Sequence, residues 1–278
     1  MDWITLNYSY FSFLLIDLVA ILLLVAAMRW LSRLMVRPVK EHEEASNIDS
    51  GAAILAIMIA LTGVASGSFS LSLLNEWGVV TAYGLLAIVL LRAGAWLQDK
   101  LVLPSVSLSS ETEQGNDAAA FIAGSHMIGT AIVIQSSMKW VSQDGNLGLI
   151  ALLFGFVISQ LLLALETRLR MLWTSNGITA AAKAHKNLVA MKYSLQHVGA
   201  ALAISASSHF ASAMQYELHL AVIAWLLSSI VFLTVFLILS ELSLRIVLPR
   251  AGEREEGRPL LEGAIYLGWG FILPALAS

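Results

Sequence analysis

Two histidines stand inside long apolar stretches: His126 in GNDAAAFIAGSHMIGTAIVIQSS (115–137) and His197 in the run that follows Asn187. An imidazole in hydrocarbon must satisfy two ring nitrogens without bulk water, so an ionisable residue there is a functional candidate by default. A neutral imidazole passes a proton or ligates a metal, and its ordinary pKa of about 6.5 lies within the physiological range. Asp17 is the acidic counterpart, inside the first apolar window. The competing reading is packing, each ring hydrogen-bonded to Ser, Gln or a backbone carbonyl for about 1 kcal/mol or less. Two histidines alone do not make a metal centre, and a chain with no cysteine offers no thiolate ligand, disulfide or cysteine nucleophile. No metal and no cofactor is expected. Arg92, Lys192 and Glu241 fall close enough to helix ends to snorkel, and His209 and His219 flank a short polar loop.

The elements that must position these groups are membrane helices. Hydrophobic residues make up 58% of the 278, charged ones only 13%, and mean hydropathy is +0.78, well outside the balance of a soluble domain. A span needs about 20 mostly apolar residues, and eight windows qualify: 10–30, 50–70, 79–97, 117–137, 146–166, 188–209, 219–241 and 260–277. A transmembrane barrel would alternate in segments of about ten residues instead. The fold class expected is an all-α integral membrane protein. No basic residue precedes the first window, the reverse of a signal peptide, so it reads as a retained helix. Of the 16 Lys and Arg residues, all but Lys139 lie in or beside the longer, odd-numbered connections. Positive-inside then places those loops in the cytoplasm and both termini outside. Trp3, Trp77 and Trp140 mark the outer interface; Trp30, Trp96 and Trp173 mark the inner one.

Helices leave toward the cytoplasm through similar ends: RWLSRLMVRP (29–38), AWLQDKLVLP (95–104), ELSLRIVLP (241–249) and, without proline, ETRLRMLW (166–173). They return through DSGAAILA (49–56), NDAAAFIAG (116–124), NLVAMKYS (187–194) and LEGAIYLG (261–268). Ala52, Ala119, Ala190 and Ala264 recur at about 70-residue intervals, which gives four parallel two-helix repeats. They group as a first four-helix module over 1–140 and a second over 141–278, one membrane domain overall. Asp49, Asn116 and Asn187 stand where a returning helix needs its free N–H groups capped. Small residues such as Ala53, Ala56, Ala60 and Gly63 recur at helical spacing, so the returning helices are expected inside and the Leu-rich ones, such as 219–241, against lipid. On this alignment His126 and His197 share one position, ten residues beyond Asn116 and Asn187 and so about 15 Å from the cytoplasmic edge.

An exit helix ending near proline, a short polar loop, then Asn-x-Ala-Ala with a glycine further on resembles the YjfL-like inner-membrane proteins of bacteria, the domain of unknown function DUF350. Asn116, Ala118, Ala119 and Gly129 carry the match; Asn187, Ala190 and Ala200 follow it loosely, and Asp49, Gly51, Ala52 and Gly63 more loosely. The last unit keeps only Gly263 and Ala264. The resemblance implies four-helix modules, here two in tandem, and a bacterial cytoplasmic-membrane location. It supplies no activity, ligand or catalytic residue, and some relatives resemble components of envelope-stress systems.

Enzyme signatures such as G-x-x-x-x-G-K-[ST], H-E-x-x-H and G-x-G-x-x-G do not occur, and there is no nucleic-acid footprint. The loops, about 20 residues each at 31–49, 98–116, 167–187 and 242–259, read as solvated linkers rather than a soluble domain. Two readings follow. In one, a non-enzymatic inner-membrane protein acts as a transporter- or channel-like element, or a membrane-stress component, with His126, His197 and Asp17 lining a polar path. In the other, the protein is a scaffold whose loops recruit a membrane or cytoplasmic partner, and the histidines only pack. Beyond the bilayer, a homo-oligomer fits either reading.

Overall fold

The computed structural model describes residues 8–35, 43–65, 73–103, 106–140, 146–173, 177–214, 217–248 and 257–277. Among them the secondary structure is wholly helical. Eight long helices are α1 (Tyr8–Met35), α2 (Glu43–Ala65), α3 (Leu73–Val102), α5 (Asp117–Trp140), α6 (Asn146–Trp173), α8 (Asn187–Ser205), α10 (Leu218–Val247) and α11 (Arg258–Ala277). Three short ones are α4 (Leu108–Glu113), α7 (Ile178–Lys183) and α9 (Ser208–Ser212). Six of the long helices, α2, α3, α5, α6, α10 and α11, are apolar and long enough to cross a membrane. A helix satisfies its backbone internally, the condition hydrocarbon imposes. Trp3, Gly67 and the prolines at 38, 104 and 249 lie outside the described residues.

The small-residue helices pack side by side in the order α2, α5, α8, α11, and α1, α3, α6 and α10 lie against that row in a second layer. Close approach depends on missing side chains. A Cβ on Gly270 would stand 2.6 Å from the Cα of Gly199, so α8 and α11 cross glycine on glycine. At the other end of the row, Gly63 meets the backbone of Gln135. The middle of the row is the most enclosed part of the protein, whereas α10 turns Leu227, Val231 and Ile238 outward. The small-residue stripes predict this for α5 and α10, but α11 at the end of the row is as open as α10, and the Leu-rich α6 is more enclosed than α2. Trp30, Trp77 and Trp96 are likewise exposed on the surface, but Trp225 is buried and donates from Nε1 to Ser159 Oγ at 3.1 Å.

Helix ends depart from expectation. The polar cluster QDK suggests that the third apolar window stops at 97, yet α3 continues to Val102 because Leu101 and Val102 resume the apolar pattern. The window 188–209 breaks at Ala206, where a turn leads into α9. The two central connections are also not solvated linkers. They fold into α4 and α7, and Leu103, Leu108, Ile178 and Ala182 bury against Ala118 and Ile122 of α5 as a small apolar cap. Each connector has the same plan: a six-residue helix, a closing residue, a left-handed residue, one more residue (Asn116 or Lys186), then the next long helix. The left-handed residues are Gly115 (φ 85°) and, where glycine is absent, His185 (φ 52°).

Candidate functional site

Helix α5 enters the row at Asn116. Its Oδ1 accepts the Ala119 N–H at 3.1 Å, while its Nδ2 donates to the Ala182 carbonyl at 2.7 Å and to Glu111 at 3.0 Å. One buried side chain therefore caps α5 and ties the two connectors together. Asn187 does not stand in the matching place. Lys186 holds the position before α8, with no side-chain cap, and Asn187 is already helical and exposed. Asp49 is no cap either: α2 starts at Glu43, so Asp49 is buried more than a turn inside it. The run EEASNI ahead of it is helical, where the sequence reading placed loop.

From its capped start α5 carries His126 inward to the face that meets α3 and α8. The ring is almost wholly buried, and its Nδ1 lies 3.2 Å from Asp99 Oδ1 on the last turns of α3. With Asp99 ionised, Nδ1 carries the proton and donates, which leaves Nε2 with its lone pair. His197 of α8 comes to meet it, the ring centroids 4.9 Å apart and tilted by 54°. Gly129, one turn beyond His126 on the same face, makes the slot for this second ring. A Cβ there would stand 2.9 Å from His197 Cδ2. His197 is buried, and neither of its ring nitrogens has a hydrogen-bond partner among the described residues.

The depth of the pair follows from α3 as much as from α5. His126 lies ten residues into α5, but Asp99 lies only three residues from the end of α3, about 5 Å along it. The pair is thus reached from the end of α3, through a carboxylate 24% exposed, rather than lying at the centre of the bundle. Asp99 was not singled out by sequence reading because it sits in the QDK cluster taken as loop. The signal for it was the apolar LVL that follows.

Further polar groups line the same end. Gln98 Nε2 donates to the Gln160 side chain at 2.9 Å and to its carbonyl at 3.0 Å, and Gln160 Nε2 donates to Thr130 Oγ1 at 3.1 Å. Between α6 and α8, Glu166 of α6 pairs with Arg170 and accepts from Gln196 Nε2 at 3.1 Å. Counted from the left-handed residues, Gln196 and not His197 is the counterpart of His126, so His197 stands one step further round its helix. On the other side, Asp49 of α2 lies within electrostatic reach of both Arg92 and Asp99 of α3. Asp17, though buried, belongs to α1, which packs chiefly on α2 and α3, and the structure does not gather it with the histidines. Among the described residues no group of three or more His, Cys, Asp or Glu is placed to hold a metal ion.

The arrangement sets a carboxylate against one imidazole and that imidazole in ring contact with a second. The family model Domain of Unknown Function (DUF350) matches residues 72–169. That segment takes in α3 to α5 and most of α6, and it crosses the boundary drawn at 140 between the two expected modules. No curated protein and no solved structure matches the chain. Asp99, Asn116, His126 and Gln160 all lie within the segment 72–169 that is similar to the DUF350 family.

Proposed function

We propose that this chain is a non-enzymatic multi-pass protein of the bacterial cytoplasmic membrane whose working part is an intramembrane proton-binding site, formed by His126 and His197 and reached through Asp99. In this reading all eight long helices span, both termini are outside, and four parallel two-helix units build the bundle as two tandem modules. The similar plan of the α4 and α7 connectors and the packing order α2, α5, α8, α11 support the units. Transport or channel activity is the role that best uses such a site.

The observation that carries the reading is His197, a buried imidazole whose two nitrogens have no partner among the described residues while its ring touches a second histidine. An unsatisfied buried polar group costs about 1–3 kcal/mol, and leucine would pack the slot without that cost. Retaining the ring makes sense if it takes up a proton passed from His126.

The test is proton flux in proteoliposomes with a pH-sensitive dye inside. Replacing both His126 and His197 by Gln should reduce dye response to that of protein-free vesicles. Flux unchanged in the double variant, with only thermal stability altered, would overturn the relay and favour the scaffold, for which crosslinking of a partner through loop 31–49 or 242–259 is the positive result.

A further inference from the structure

A second polar site lies away from the histidine pair, in a cleft of about 550 Å³ between the ends of α6 and α10 and the starts of α8 and α11. Its floor is Arg170, buried, with the guanidinium carbon 4.2 Å from the centroid of the Tyr266 ring. Lys192 of α8 and Arg245 of α10 line the walls, with Gln196 beside them. One carboxylate, Glu241, lines the cleft with them, and Glu166 and Glu262 stand behind; because Arg258 also lies on Glu262, at 3.0 Å, four cations share three carboxylates around the cleft. The cations are not idle: Arg170 pairs with Glu166, Lys192 with Glu262, and Arg245 with Glu241 at 3.4 Å. The Arg245–Glu241 pair is exposed on both sides, however, and such a pair opens at little cost. Arg245 is therefore able to turn inward toward an anion that Arg170 and Lys192 already favour.

The rim says what kind of anion. Leu237 and Ile238 line the cleft, and Ile238, Leu242 and Ile246 continue from it as one exposed apolar stripe, four residues apart along α10. Glu241 and Arg245 form the stripe beside it. Charge inside with an apolar ledge running outward matches an amphiphile whose head is anionic. Basic pockets between membrane helices near an interface hold phosphate head groups in this way, and arginine forks suit phosphate oxygens.

We propose that this cleft binds a phosphate ester, its anionic oxygens on Lys192, Arg245 and Arg170, supplied as the head group of a phospholipid whose chains lie along Ile238 and Leu242. The site is separate from the histidine pair, so either assignment stands if the other fails.

The full-length protein, purified in neutral detergent, is titrated with dioctanoyl phosphatidylglycerol, with dioctanoyl phosphatidylcholine and with glycerol phosphate, and both its melting temperature and its retained ligand by native mass spectrometry are followed. Phosphatidylglycerol should raise the melting temperature and be retained, and Lys192→Gln with Arg245→Gln should weaken its apparent affinity about tenfold. Arg245→Gln alone, at an exposed position, tests the same cleft should the double variant fold poorly, and it too should weaken the lipid. A response to phosphatidylglycerol alone identifies the lipid as source. An equal response to glycerol phosphate supports the phosphate site with a soluble ligand. No response to either phosphate-bearing anion, a response equal to that of phosphatidylcholine, or an affinity unchanged in Arg245→Gln overturns the proposal.

Discussion

His197 and Asp99 do opposite things to the same pair. Asp99 gives His126 a partner, whereas His197 has none among the described residues and keeps its polar ring at a cost. Replacing His197 by Leu removes two unsatisfied nitrogens from a slot that Gly129 holds open. Thermal unfolding in detergent should show a gain of about 1 kcal/mol, while proton flux should be lost; a loss of stability would mean that the ring is satisfied after all. Asp99→Asn should slow flux about tenfold and leave folding intact, because general acid–base transfer through a positioned carboxylate is worth at least that much. At this scale the sequence was half legible. A histidine in an apolar run stands out against its neighbours, so both rings were visible, but their partner was not. A carboxylate near a helix end looks the same whether it faces water or a buried imidazole, and only the packing of α3 on α5 tells the two apart.

The two return helices at the centre begin differently although their sequences look alike. Asn116 closes three hydrogen bonds at once, to Ala119, Ala182 and Glu111. Asn116→Ala should therefore cost about 2 kcal/mol, a lost cap plus the loss of the buried bonds from its side-chain amide to Ala182 and Glu111. Asn187→Ala, at an exposed position inside α8, should change the melting temperature little, and an equal loss for the two would refute the difference in their starts. Apolar periodicity located every long helix, since an unbroken run of about 20 apolar residues suits hydrocarbon and little else. Their ends were less readable, because tertiary cover decides whether a polar residue such as Asp49 or Asp99 continues a helix or closes it. The connectors α4 and α7 were missed for a related reason: six residues carry too short a pattern, and Leu108 and Ile178 become core only when both connectors meet.

The molecule as a whole is two layers of four, with α2 and α11 at opposite ends of the inner row. Its orientation rests on where the basic residues fall, and a chain without cysteine makes the check direct. A single cysteine introduced at Ser278 should be labelled by a membrane-impermeant maleimide from outside intact cells; labelling only after the inner face is opened would reverse the topology. The alternation of small-residue and Leu-rich helices was plain in the sequence, and it picked out α5 as enclosed and α10 as outward-facing, but not α11, which is as open as α10, or α6, which is more enclosed than α2. What the sequence left hidden was which helices touch, and those contacts bear on how the chain is made. Gln98 and Asn116 precede residue 140, yet Gln98 bonds Gln160 and Asn116 bonds the Ala182 carbonyl, and Phe121 receives the Ser194 hydroxyl at 2.9 Å. During synthesis, the first half of the chain reaches the bilayer with these polar groups still waiting for segments the ribosome has not yet delivered. The nascent protein is thus obliged to hold an unfinished interior until α8 arrives, and a polypeptide stopped after α5 would present that interior to quality-control proteases.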